Sequence, residues 1–117
     1  MTHEEREKQR VGQWRVLEVV RGRFENWLVK QSWAKRVHKI EFIPHAQTLE
    51  VYVFYKTDAD VDDGKSNGVS ESVTQKMLSE LAESGYPVQA SSDVRFTFDS
   101  HENILKNYKG SYFLRLR

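Results

Sequence analysis

The sequence contains no cysteine, which excludes a disulfide framework and any metal site built on thiolates. No apolar run approaches the roughly 18 residues that a membrane span needs. The opening, MTHEEREKQR, does not read as a secretory leader. Proline and glycine are sparse, at two and six residues, with no internal repeat and no low-complexity segment. A phosphate-cradling glycine loop, a nucleophile elbow and an HExxH pair are all missing. Net charge is small as well, at +1. Together these absences lead us to expect a cytoplasmic chain with no cofactor and no membrane partner, and they disfavour an enzyme.

Aromatic residues and charge are what the chain does have. Three Trp, five Tyr and six Phe supply large buried areas from few positions, which offsets a hydrophobic content of only 38% and argues against disorder. With 117 residues there is room for one core, so residues 1–117 form one domain. The charge is segregated. Residues 1–40 hold ten Lys/Arg against five Asp/Glu, residues 41–104 hold four against twelve, and residues 105–117 hold four against none. An acidic middle between basic ends fits a partner surface, and it fits equally well a fold in which the ends neutralise the middle.

Periodicity predicts the elements. Val11, Trp14, Leu17, Val20, Phe24, Trp27, Leu28 and Gln31 step by threes and fours, so a long helix is expected from about His3 to Ala34. Arg10, Arg15, Arg21 and Lys30 occupy its other face. Residues 1–8 are almost all polar and should fray or project into solvent. Gly22 is a natural place for a bend, since glycine costs about 1 kcal/mol in a helix relative to alanine. Val37–Ile43 and Thr48–Thr57 read as strands joined by a hairpin through Pro44. The Asp- and Gly-rich stretch Asp58–Gly68 reads as a surface loop. A second helix follows from Val69 to Ser84, stopped by Gly85 at the C′ position. Residues 88–92 lead into a third strand, Val94–Phe98, and Asp99 with Glu102 has the spacing of a capping box for a short helix to about Lys109. The alternation of Tyr112, Leu114 and Leu116 predicts a last strand. The expected architecture is α+β: a mainly antiparallel four-stranded sheet in the order α-β-β-α-β-α-β, with the long helix packed on it.

Candidate chemistry is thin. Asp58, Asp60, Asp62, Asp63 and Gly64 suggest a calcium loop, but an EF-hand starting at Asp58 needs Gly at Asp63 and Glu at Val69. No metal site is expected. His38, His45 and His101 could form an acid–base set with Lys39 or Lys106, or His101 with Glu102, yet nothing in their spacing requires them to meet. The basic face of the first helix with Lys106, Lys109, Arg115 and Arg117 offers an alternative role in binding RNA or single-stranded nucleic acid.

The C-terminal stretch FTFDSHENILKNYKGSYFLRLR, with the preceding VSESVTQKMLSELAESGYP, resembles bacterial immunity proteins of contact-dependent growth-inhibition and polymorphic toxin systems. The resemblance lies in Phe98-Asp99-Ser100-His101-Glu102-Asn103, in Tyr108-Lys109-Gly110-Ser111-Tyr112 and in an Arg-ended final strand. It covers the chain from Val69 onward, and the first helix adds nothing specific to it. The resemblance implies a cytoplasmic antitoxin-type protein that binds and neutralises a cognate toxin domain, often a nuclease, by direct stoichiometric contact. No contact residues carry over from it. Charge and residue type make Asp58, Asp60, Asp62, Asp63, Glu80 and Glu83 the expected acidic surface towards a basic partner, with Tyr55 and Tyr86 as aromatic anchors.

Overall fold

In the computed structural model, which describes residues 2–87 and 93–117, the chain is arranged around the strand β2 (Leu49–Tyr55). Leu49, Val51, Val53 and Tyr55 alternate onto one face, each at most 1% exposed, while Glu50, Tyr52 and Phe54 point to the other. The strand β1 (Val37–Pro44) pairs with it antiparallel, through the expected hairpin, closed by the His45 N–H donating to the Thr48 carbonyl at 2.8 Å. On its other side lies β3 (Val94–Ser100), which runs parallel to β2 with Leu49 opposite Val94 and Tyr55 opposite Ser100. The sheet is therefore mixed and three-stranded, β1-β2-β3. This corrects the expected four-stranded, mainly antiparallel sheet. Parallel pairing follows from the long crossover between β2 and β3, which carries two helices, α2 (Asp58–Ser66) and α3 (Val69–Glu83). Residues 88–92, expected to lead into β3, lie outside the described residues.

The helix α1 (His3–Leu28) opens on a capping box between Thr2 and Glu5 and runs unbroken through Gly12 and Gly22. Its first turns project into solvent, and only Leu17, Val20 and Phe24 are buried. It stops six residues before the expected Ala34. Bonds of the i to i−3 type, such as Gln31 N–H to Leu28 at 3.0 Å and Ala34 N–H to Gln31 at 3.1 Å, tighten the chain into a reversal. That reversal lets Trp33 set its ring edge-on against Trp27 at 5.7 Å. From α3, Val69, Val73, Met77 and Leu81 join α1 over the Leu49–Tyr55 face to form the main core. Gly85 ends α3 as expected: at φ +75° it lets Tyr86 N–H reach Leu81 and its own N–H reach Ala82.

Two further assignments are corrected. The stretch from Asp58 is no loop; it is α2, capped by the Thr57 hydroxyl, which accepts from Asp60 N–H at 3.1 Å. The expected last strand is α5 (Tyr112–Leu116), a short helix following α4 (His101–Asn107). It lies on the second face of the sheet, where Tyr112 sits edge-on to Phe54 at 4.8 Å and the Arg115 guanidinium lies over Tyr52 at 5.4 Å. Among the described residues no helix is long and apolar enough to cross a membrane.

Candidate functional site

The parallel strands β2 and β3 end side by side at Tyr55 and Ser100. Beyond them the chain enters α2 and α4, so two helix starts share one corner at the carboxyl ends of parallel strands, the edge where open α/β sheets gather ligands. Here the helix starts are capped from within. Ser100 is the N-cap of α4, accepting from Asn103 N–H at 2.9 Å, one residue later than the expected Asp99. Strand pairing extends far enough to keep Asp99 in β3, where its carboxylate accepts from Asn103 Nδ2 at 3.0 Å and pairs with Arg115 at 2.8 Å. Glu102 does not close a box on its own helix. Its carboxylate accepts the Asp58 N–H at 2.8 Å, capping α2, and lies 3.4 Å from Lys106. The Asp58 amide and then Lys106 lower its pKa from the ordinary carboxylate value.

Beside this corner the structure joins two of the three candidate histidines. His38, from the start of β1, stacks on His101 with ring centroids 4.1 Å apart and 28° between planes. His101 Nδ1 lies 2.7 Å from the Tyr112 hydroxyl. Lys39 Nζ lies 4.1 Å from the centre of the Tyr112 ring and 2.9 Å from Glu41. Burial, then the neighbouring His101, Lys39 and Lys56, lowers the His38 pKa below its ordinary 6.5. His45 is apart from the pair, 3.0 Å from Glu50 at the hairpin. No sequence spacing signals the His38–His101–Tyr112 group, because its members come from three elements that only the strand register and the α5 helix bring together. Glu102, bound to Asp58 and Lys106, is not available to work with His101.

The expected partner-binding residues divide into three groups. Asp60, Asp62 and Asp63 lie along α2 without an ion pair among the described residues, whereas Asp58 takes the Ser100 hydroxyl and lies 3.9 Å from Lys106. Glu80 is 3% exposed and paired with Lys76 and Arg23; those partners, Lys76 first, lower its pKa. Glu83 shares Arg23 at 2.7 Å. Tyr55 and Tyr86 lie inside the fold, and burial raises both phenol pKa values. Tyr55 bonds the Ser70 hydroxyl at 2.8 Å, while the buried Tyr86 hydroxyl has no partner among the described residues.

Part of the basic charge at the two ends is engaged as well. Arg23 holds α3, Arg115 holds Asp99, Lys106 holds Glu102, and Arg21 donates to the Ile40 carbonyl at 2.6 Å. Much of the charge segregation is thus neutralised within the fold. Among the described residues no group of three or more His, Asp or Glu side chains is placed to hold a metal ion. A cleft of about 770 Å³ lies away from this corner, between the projecting half of α1 and the hairpin, and is lined by Trp14, Phe42 and Pro44. Compared with known proteins, the chain matches no protein-family model, no curated protein and no solved structure.

Proposed function

We propose that this chain is an immunity-type inhibitor that binds a cognate toxin domain, with a nuclease as the leading case, and neutralises it by direct stoichiometric contact in the cytoplasm. The observation that carries this reading is α2. Most acids of the middle segment are paired within the fold, yet Asp60, Asp62 and Asp63 stand on a capped helix without an ion pair among the described residues. Rigid unpaired carboxylates suit a basic cleft, because their ordering is complete before the partner arrives. The C-terminal resemblance supports the same reading. Glu80, Glu83, Tyr55 and Tyr86 support the scaffold in this proposal and leave the contact to α2.

Charge reversal at Asp62 and Asp63 tests the surface. Asp60 is spared because it lies in the first turn, where its charge favours the helix itself. The double variant Asp62→Lys/Asp63→Lys is expected to associate about tenfold more slowly at low salt and to lose salt dependence, with an unchanged thermal transition. The function itself is tested by co-expression with a toxin domain encoded in the neighbouring gene. Restored growth and a recovered complex support it; continued growth arrest with no complex overturns it.

A further inference from the structure

We infer that the stacked His38–His101 pair, with Tyr112, is a proton-sensitive latch that seats α5 on the second face of the sheet and loosens it in acid. The seat is narrow. α5 buries none of its residues, and Phe113 stands 74% exposed. Arg115, through Asp99, and Tyr112, through Phe54, Lys39 and the hydroxyl contact to His101, hold the helix down. The Tyr112 anchor therefore depends on where His101 sits, and His38 lies flat against His101.

Neutral imidazoles stack well, whereas two imidazolium ions at this distance repel. Among the described residues no neighbouring carboxylate is free to compensate them. On β1, Glu41 is bound to Lys39; on β3, Asp99 is bound to Arg115 and Asn103; on α4, Glu102 is bound to Asp58 and Lys106. The other charged neighbours, Lys39 on β1 and Lys56 just after β2, are cations. The lowered pKa of His38 gives the sign. The folded state binds this proton less readily than the unfolded chain, so the latch is fully set above about pH 6.5 and weakens as pH falls below it. In acid the Arg115–Asp99 pair is left as the remaining tether, and Phe54 loses the cover of Tyr112.

The test is backbone ¹⁵N relaxation on the whole chain at about pH 7.5 and about pH 5.5, above the range in which ordinary carboxylates titrate. The heteronuclear NOE of residues 112–116 is expected to fall at the lower pH while β2 stays rigid. The His38→Phe variant, which keeps a flat ring and cannot charge, is expected to hold α5 in place at both pH values. His38→Gln takes its place if that ring does not fit. Equal NOE values at both pH values in the parent chain overturn the latch. So does a pH-dependent loosening that persists unchanged in the His38 variant.

Discussion

Replacing Phe54 by Ala is expected to lower the unfolding free energy by about 3–5 kcal/mol in a urea titration, the range of a fully buried phenylalanine. The size of this effect is informative because Phe54 lies outside the main core. It is fully buried on the face of β2 opposite α1 and α3, against Tyr112 at 4.8 Å and Tyr52 at 6.1 Å. A large loss therefore reports that α5 seals this face. A loss below about 1 kcal/mol would mean that water already reaches Phe54 and that α5 is not seated as described. Phe96, which its alternation marks as a core aromatic, is only half-buried beside Phe98, so its truncation is expected to cost less than that of Phe54.

Gly64→Ala is expected to destabilise the chain by about 1–3 kcal/mol, although alanine is the better helix former. A Cβ at this position would lie 2.7 Å from the Tyr55 hydroxyl and 2.9 Å from the Ser70 hydroxyl. The Tyr55 ring is enclosed in the core and cannot retreat, so the methyl group breaks the 2.8 Å bond between the two hydroxyls and leaves them buried. Helix propensity returns only about 1 kcal/mol against that loss. Removing the hydroxyl makes room, so Tyr55→Phe should absorb part of the damage. The double variant Gly64→Ala/Tyr55→Phe is expected to be more stable than the sum of the two single changes implies. Strict additivity, or a stabilised Gly64→Ala, would show that α2 does not approach β2 this closely.

The same contact explains why α2 was hard to read. Its composition is that of a loop, and its single glycine is a packing residue, placed where β2 and α3 come closest to the helix. The legible signal was Thr57 followed by Asp58 and Asp60, a cap with first-turn acids, and the density of aspartate obscured it. In α5 the alternation of Tyr112, Leu114 and Leu116 suggested a strand, but the residues that face the sheet are Tyr112 and Arg115, spaced by a helical i, i+3 step. A segment of five residues fits both periods, and only the need to reach Phe54 and Asp99 together separates them. The stripe of α3, the part of the α1 stripe from Leu17 to Phe24, the hairpin and the Gly85 stop were legible because each rests on local chemistry, whereas Val11 and Trp14, on the same α1 stripe, stand exposed where the helix projects past the sheet. The His38–His101 contact was not, because it depends on how three distant segments are placed in space.

The parallel pairing of β2 with β3 also bears on how the chain folds. Pro44 meets Leu49 across a short hairpin, whereas Leu49 meets Val94 only after 45 positions of chain. The longer closure costs about 2 kcal/mol more in chain entropy, at about 0.6 kcal/mol per doubling of loop length. The hairpin is therefore expected to form first, with α1 packed on it, and β3 to dock late as the α2–α3 crossover closes. Val94→Ala should then speed unfolding and leave refolding nearly unchanged in stopped-flow traces, whereas Val51→Ala should slow refolding. A Val94→Ala effect felt mainly in refolding would reverse that order. A late-docking β3 leaves one edge of β2 unpaired in every partly folded copy, so the stage of folding most exposed to intermolecular strand pairing is the last one.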